Sequence, residues 1–141
     1  MMHFRFIYES SMELKGPGEI MRYYRVLRGF SVRQLADMLH IVPATVLAYE
    51  QERSLMPYET AVAVTEALQI PDKIIFDDFC SFISFPYTER LQITRKKYKL
   101  SQSEFADRAG ISFGIYSKWE SGYRRPSRKM YLKLKAVYPE I

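Results

Sequence analysis

The sequence predicts an all-α protein that contains two similar helical units. Three observations favour this fold class: an internal repeat at a fixed offset, the same helix-start signal in both repeats, and apolar residues at helical spacing. The chain has 141 residues, of which 48% are hydrophobic. That length is sufficient for one ordinary domain or for two very small ones that share a core.

The repeat becomes visible when each residue is compared with the one 70 positions later. Identical pairs are Glu19 and Glu89, Arg25 and Arg95, Ser31 and Ser101, Ala36 and Ala106, Asp37 and Asp107, Ile41 and Ile111, and Glu50 and Glu120. The alignment then slips by one residue, so that Pro57 pairs with Pro126. Because chance seldom gives such a pattern over about forty residues, we interpret it as a duplicated module.

The first two helices of each repeat have recognisable start and stop signals. In the first repeat, Ile20, Tyr24 and Leu27 have helical spacing, and Gly29 ends that helix. A capping box follows in both repeats, Ser-x-x-Gln from Ser31 and Ser-x-x-Glu from Ser101. The serine oxygen and the side chain three residues later satisfy free backbone N–H groups reciprocally, which predicts a second helix at each serine.

The remaining elements follow in the same order in both repeats. His40 and Gly110 are predicted to occupy a tight turn that favours a left-handed backbone, which glycine accepts more easily than histidine. Val42 and Ser112 are predicted to open a third, short helix. A fourth helix is predicted to begin with Pro57 and Pro126 in its first turn.

Two segments lie outside the repeats. Residues 71–84 are predicted to form a helix capped near Asp72, whose wide apolar stripe joins the two units or a homodimer. The stripe consists of Ile75, Phe79, Phe82 and Ile83. At the N-terminus, residues 3–8 are either a short strand or a disordered leader. The predicted boundaries are therefore a leader at 1–18, unit 1 at 19–70, a connecting helix at 71–86 and unit 2 at 87–141.

The segment Arg95–Pro126 closely resembles the lambda-repressor/Cro-like (XRE-type) helix-turn-helix family. The resemblance is carried by residues 100–106 (LSQSEFA), 110–112 (GIS), 117–122 (SKWESG) and by Pro126. The first repeat is similar more weakly, in residues 25–31 (RVLRGFS), 35–36 (LA), 49–50 (YE) and in Pro57. Together they cover about three-quarters of the chain. The implied architecture is two tandem lambda-repressor-like helix-turn-helix bundles joined by an apolar helix.

The positive charge is concentrated in the C-terminal third. The net charge of the chain is +5, with 21 Lys and Arg against 16 Asp and Glu. Residues 1–70 carry seven basic and eight acidic side chains, whereas residues 90–141 carry 13 and four, a net of +9. A surface that faces a polyanion is therefore expected in the second unit.

The resemblance implies that the second helix of the motif enters the major groove of double-stranded DNA with its N-terminal residues toward the bases. The base-reading candidates are Gln102, Phe113, Gly114, Ser117 and Lys118. Phe113 is either a contact for a thymine methyl group or a core residue. Gln102 is expected against the DNA backbone or an outer base.

Phosphate contacts are expected from the end of the first helix and from the loop after the recognition helix. The candidates are Arg95, Lys97, Lys99, Tyr123, Arg124 and Arg125. Arg25 and Glu50 are 25 residues apart, as are Arg95 and Glu120. The resemblance implies that both pairs are partly buried structural salt bridges, with Trp119 in the core nearby.

The first unit departs from the family pattern at its recognition segment. Val32 stands where the pattern has glutamine, and Leu47 where it has serine. Weaker DNA-contact candidates remain in Arg33, Thr45 and Arg53. Unit 1 is therefore either a degenerate DNA binder or a dimerisation unit, because an exposed apolar helix suits protein contact better than base reading.

Several function classes are disfavoured. The single cysteine, Cys80, allows no intramolecular disulfide, and no apolar run approaches membrane-spanning length, so a cytoplasmic location is expected. His3 and His40 are the only histidines, and no metal-ligand spacing or phosphate-binding loop occurs, so no enzyme and no cofactor is expected. Two hypotheses remain: a sequence-specific transcriptional regulator, most often a repressor in resembling proteins, and an antitoxin- or inhibitor-type adaptor that binds a protein or RNA partner through unit 1. Self-association is expected, as a homodimer or as an intrachain pair of units.

Overall fold

The computed structural model describes residues 16–141, which form helices and turns without a strand in that range. The predicted all-α class is confirmed. The chain divides into two compact units between Asp77 and Asp78. We call residues 16–77 unit 1 and residues 78–141 unit 2. The predicted leader segment at residues 3–8 lies outside the described residues.

Unit 1 is a small helical bundle. Its helices are α1 (Pro17–Leu27), α2 (Val32–Leu39), α3 (Pro43–Glu50) and α4 (Tyr58–Leu68), followed by a single 3-10 turn at Pro71–Lys73. Helices α2 and α3 pack on each other, with α1 against α3 and α4 against α2. The fully buried side chains at the centre include Met21, Leu35, Val46, Val64 and Leu68.

Unit 2 repeats this arrangement after one additional helix. Its helices are α5 (Asp78–Ser84), α6 (Tyr87–Lys97), α7 (Gln102–Arg108), α8 (Phe113–Glu120) and α9 (Arg128–Val137). Its core is more aromatic than that of unit 1 and includes Phe105, Tyr116, Trp119, Tyr131 and Tyr138. The ring of Tyr138 stacks on Phe105 at 3.9 Å between centroids, and its hydroxyl donates to the Phe105 carbonyl at 2.8 Å.

Both predicted capping boxes are confirmed. The Ser31 hydroxyl accepts from the Gln34 backbone N–H at 3.0 Å, and the Gln34 side chain accepts from the Ser31 N–H at 2.8 Å. Ser101 and Glu104 make the same two bonds at 3.1 and 3.0 Å. These bonds satisfy N–H groups that the first helical turn leaves without a partner. They fix where α2 and α7 begin.

The tight turns also form as predicted. His40 and Gly110 have φ angles of 56° and 69°, both in the left-handed region. Val42 and Ser112 are the N-cap residues of α3 and α8. The turn therefore sets the angle between the two helices of each motif in the same way in both units.

The predicted one-residue slip at the fourth helix is wrong. Helices α4 and α9 begin at Tyr58 and Arg128, still 70 residues apart. Pro57 is the N-cap of α4, and its counterpart is Ser127, whose hydroxyl accepts from the Met130 N–H. Pro126 corresponds instead to Met56, and both are buried. The alignment paired Pro57 with Pro126 because both are proline. The position of Pro126, however, requires a buried apolar side chain and not a proline that starts a helix.

The predicted helix over residues 71–84 is also wrong as a continuous element. Asp72 and Lys73 have φ angles of 56° and 54°, which no α-helix accommodates, and only Asp78–Ser84 is α-helical. The apolar residues are divided between the units: Phe76 packs edge-on against Tyr58 of unit 1, whereas the stripe from Phe79 onward belongs to unit 2. Packing into two separate cores outweighs the continuous helical pattern.

Helix α1 begins earlier than the predicted boundary at residue 19. Pro17 occupies its first turn, which suits a residue without an N–H. The Gly18 N–H donates to the Glu52 carboxylate at 3.2 Å. A Cβ at Gly18 would lie 2.4 Å from the Glu50 carbonyl oxygen, so only glycine fits there. The last two residues of the predicted leader, Pro17 and Gly18, thus belong to the helix.

Candidate nucleic-acid interface

In each unit a bidentate ion pair joins two helices, α1 and α3 in unit 1 and α6 and α8 in unit 2. In unit 1, Arg25 Nε and Nη2 donate to the two Glu50 carboxylate oxygens at 2.7 and 3.0 Å. In unit 2, Arg95 bonds Glu120 in the same way at 3.1 and 2.6 Å. Both glutamate side chains are only 4% exposed. The hydrogen bonds to glutamate raise the pKa of both arginines.

The ion pair also fixes the turn that follows the arginine's own helix, which is α1 in unit 1 and α6 in unit 2. A further guanidinium N–H of Arg25 donates to the Phe30 carbonyl at 3.0 Å, and that of Arg95 to the Leu100 carbonyl at 3.1 Å. The arginine therefore joins three segments of its unit. The structure brings together both pairs that the family resemblance implied.

The surroundings of the two glutamates differ. Burial raises the pKa of Glu120, but hydrogen bonds from Arg95 and Gln102 and the nearby hydroxyl of Tyr116 lower it by more. The Tyr116 hydroxyl is itself buried without a hydrogen bond of good geometry, and burial raises the pKa of that phenol strongly. In unit 1 the counterparts of Gln102 and Tyr116 are Val32 and Val46, which have no side-chain donor.

Helix α8 is anchored by one face and exposed on the other. Tyr116 and Trp119 are buried, whereas Gly114 and Lys118, one turn apart, are exposed. Phe113 is 53% exposed, so it does not belong to the core of unit 2. The alternative interpretation of Phe113 as a core residue is therefore removed.

The other two base-reading candidates already have partners within the protein. The Ser117 hydroxyl donates to the Gly114 carbonyl at 3.2 Å. Gln102, at the first position of α7, is partly buried, and its interaction with Glu120 lowers the pKa of that carboxyl. This partner was not predicted from the sequence, because nothing in the spacing of Gln102 and Glu120 brings them together before the bundle folds.

The phosphate-contact candidates lie at two places in unit 2. Residues 121–125 form an exposed loop directly after α8, in which Tyr123 is 80% exposed. Lys97 and Lys99 lie at the end of α6, where Lys97 approaches the Glu140 carboxylate at 3.9 Å. The Arg95 guanidinium is engaged by Glu120 and by the backbone, which limits it to a partial phosphate contact.

Lys99 has a feature that sequence reasoning missed. Its φ angle is 55°, and its counterpart in unit 1 is Gly29 with a φ angle of 80°. The repeat itself carried the signal, since a glycine in one copy marks a position where the other copy needs a left-handed backbone. The position thus exposes a lysine at a conformational cost.

The corresponding surface of unit 1 is apolar. Val42 and Leu55 are both 62% exposed, and Met38 and Leu47 are also exposed. The weaker candidates Arg33 and Arg53 are exposed, and Thr45 is partly buried. The Arg53 Nε donates to the Gln51 side chain at 2.8 Å.

The apolar candidates for an interdomain or dimer contact have partners within their own units. Phe79 and Phe82 pack against Tyr131 of unit 2 at 5.7 and 4.9 Å between centroids. Ile75 and Ile83 are buried. A further role for these four residues between units or chains stays a prediction.

Comparison with known proteins locates the motif in unit 2. Residues 91–139 match the helix-turn-helix family model. The matched segment contains α7, the turn at Gly110, α8, the loop at 121–125 and α9. It indicates a DNA-binding transcription regulator. No curated protein and no solved structure matches the chain.

Residues 16–141 contain neither a membrane-spanning helix nor a cluster of metal-binding side chains. No helix there is long and apolar enough to cross a membrane. No group of three or more His, Cys, Asp or Glu side chains in that range is arranged to hold a metal ion.

Proposed function

We propose that this chain is a cytoplasmic, sequence-specific transcriptional repressor that reads the major groove of DNA mainly with unit 2. One observation carries the proposal: within the matched segment, the outer face of α8 and the cationic loop that follows it are exposed together. A recognition helix supplies base contacts and its flanking loop supplies phosphate contacts in this mode of binding. A bound repressor would act by occupying the promoter DNA.

In this proposal the base contacts come from α8. Phe113, Gly114 and Lys118 face the bases, with Ser117 at the edge of the same face and Gln102 at the DNA backbone. The phosphate contacts come from Lys97, Lys99, Tyr123, Arg124 and Arg125, with a partial one from Arg95. Phosphate contacts orient the protein, whereas the α8 contacts select the sequence.

We further propose that unit 1 is a diverged tandem copy of the same module. Its four helices begin 70 residues before those of unit 2, and it shares the capping box, the left-handed turn and the Arg–Glu pair. Arg33, Thr45 and Arg53 give it weak DNA contacts at most. Self-association, as a homodimer or as the pair of units within one chain, belongs to this proposal.

The experiment that tests the function is selection of bound duplexes from a random library, followed by gel-shift titration at low and raised salt. Lys118→Ala should weaken binding to the selected site by roughly 1–3 kcal/mol and relax the preference at one base pair. The matched control is Lys133→Ala, which removes an exposed lysine from α9 and should leave the preference unchanged. A protein that binds no duplex even at low salt would contradict the proposal.

The selected sequence also tests the role of unit 1. Two reading helices, in one chain or in a dimer, favour half-sites about 10 bp apart. A single short, asymmetric site would assign the base contacts to unit 2 alone.

A second candidate function is an antitoxin- or inhibitor-type adaptor. The exposed apolar side chains Val42, Leu47 and Leu55 favour it, because such a face suits a protein partner better than a nucleic acid. This candidate requires that the protein bind no duplex selectively and that Leu47→Ser abolish binding of the partner. If the Leu47→Ser variant still binds single-stranded RNA, the partner is RNA and not a protein.

A further inference from the structure

We propose that unit 2 selects its DNA site in part through the C5-methyl group of a pyrimidine, which contacts the ring of Phe113. The proposal rests on the proposed DNA-binding function and names the base chemistry that the same site recognises. Thymine and 5-methylcytosine both carry this methyl group in the major groove, whereas cytosine and uracil lack it.

The apolar part of the reading face supports this choice. Phe113 stands at the first position of α8 and is 53% exposed, and Ile115 in the same turn is 39% exposed. Between them, Gly114 has no side chain, and no atom lies within 4 Å of where its Cβ would be. The helix backbone can therefore approach the groove closely, and the phenyl ring has open space beside it. Among the base edges that the major groove exposes, the C5-methyl group is the apolar contact that suits an exposed aromatic ring.

The polar part of the same face is small. The Ser112 hydroxyl accepts from the Ile115 N–H at 3.4 Å as a helix cap, and the Ser117 hydroxyl donates to the Gly114 carbonyl. Gln102 is partly buried and interacts with Glu120. Lys118 is exposed, and an ammonium group donates hydrogen bonds without accepting any. Its match in the major groove is guanine, through O6 and N7.

The expected site therefore combines a methyl-bearing pyrimidine with a nearby guanine. Burying one methyl-sized group favours binding by about fourfold, and a bidentate hydrogen-bonded pair favours it by more. Such a face distinguishes DNA sequences both through the hydrogen-bond donor of Lys118 and through the aromatic ring of Phe113. The ring supplies the part of this selectivity that depends on the methyl group.

The test replaces every thymine of the selected duplex by deoxyuridine, which removes only the C5-methyl groups. Gel-shift titration of the full chain should show about fourfold weaker binding for each methyl group that Phe113 contacts. Replacing cytosine by 5-methylcytosine at individual positions tests whether the methyl group that Phe113 contacts belongs to 5-methylcytosine and not to thymine. A gain of binding at one position would identify 5-methylcytosine as the preferred base there.

Two variants assign the effect to a side chain. Phe113→Ala should bind the thymine and deoxyuridine duplexes equally, because no ring remains for the methyl group to pack against. Leu132→Ala removes a side chain of similar exposure from α9 and should keep the difference between the two duplexes. Lys118→Ala should weaken binding to both duplexes and keep their ratio.

The outcomes separate this inference from the function. If the protein binds its selected duplex but deoxyuridine has no effect, or Phe113→Ala keeps the thymine preference, the methyl proposal is overturned and the DNA-binding function stands. If no duplex is bound at low salt, the function is overturned and the methyl proposal with it. Since Phe113 is exposed, Phe113→Ala should unfold at the wild-type temperature, which excludes a folding defect as the cause.

Discussion

Units 1 and 2 have the same helical scaffold, but the side chains on their exposed surfaces differ in charge. Their helices begin 70 residues apart throughout, and both hold a buried Arg–Glu pair with the same backbone acceptor. At the candidate DNA contacts, however, the side chains differ. The counterparts of Lys97, Lys99, Lys118, Arg124 and Arg125 in unit 1 are Leu27, Gly29, Ala48, Ser54 and Leu55.

This comparison indicates that the bundle and the binding surface are specified by separate sets of positions. Several buried positions keep their burial in both units although the residue changes, as Met56 and Pro126 show. Exposed positions have no packing constraint, so their charge can change without loss of the fold. The cationic side chains of unit 2 are therefore best explained by a binding partner and not by the needs of folding.

The largest expected effect concerns the two ion pairs. Arg25→Ala should destabilise unit 1 by about 3–5 kcal/mol, because it leaves the Glu50 carboxylate buried without its partner. Arg95→Ala should cost unit 2 less, since Gln102 and Tyr116 still surround Glu120. Fluorescence of Trp119, the single tryptophan, reports unfolding of unit 2, and hydrogen exchange of α3 reports unit 1. An equal loss of stability in both units would show that Gln102 and Tyr116 contribute nothing.

A smaller effect is expected when unit 2 is made to resemble unit 1 at this pair. Gln102→Val removes an interaction that lowers the pKa of the Glu120 carboxyl, so it should destabilise unit 2 near neutral pH. Because the folded pKa of Glu120 is lowered, its contribution to stability is present above the ordinary glutamate pKa and is lost as pH falls through the folded pKa. Gln102→Val should therefore move the acid transition of Trp119 fluorescence to higher pH. An unchanged transition would contradict the role of Gln102.

The smallest effect concerns the left-handed residues. Lys99→Gly should stabilise unit 2 by roughly 0.5–1 kcal/mol, because a left-handed backbone costs a non-glycine residue about 1–2 kcal/mol and glycine loses part of that gain to chain entropy. The same change should weaken DNA binding if Lys99 contacts a phosphate. Thermal unfolding measures the expected gain of stability, and gel-shift titration measures the expected loss of DNA binding. Lower stability would contradict the backbone cost at Lys99, and unchanged DNA binding would remove Lys99 from the interface.

The scaffold could be predicted well from sequence, because its signals are local. The capping boxes at Ser31 and Ser101 and the turns at His40 and Gly110 involve residues within one turn of each other. The spacing of Arg25 and Glu50 became informative only through the resemblance to a known family. Where neighbouring residues decide the conformation, the sequence pattern was sufficient.

The failures lie where the tertiary environment decides. The break between Pro71 and Asp78 depends on which core each apolar side chain enters, and no helical periodicity contains that information. The partner of Gln102 depends on how α7 packs beside α8, and the exposure of Phe113 on the angle between them. The alignment error at Pro126 came from matching residue type where burial was the property retained.

The central claim is that unit 2, and not unit 1, supplies the DNA contacts, and matched charge removal tests it most directly. Arg124→Ala/Arg125→Ala and Arg33→Ala/Arg53→Ala each remove two positive charges, from unit 2 and unit 1 respectively. Gel-shift titration over a series of salt concentrations gives the slope of log affinity against log salt, which changes by about one for each phosphate that the protein no longer neutralises. We expect the unit 2 pair to reduce the slope by about two and the unit 1 pair to leave it unchanged. An equal reduction by the unit 1 pair would contradict the account.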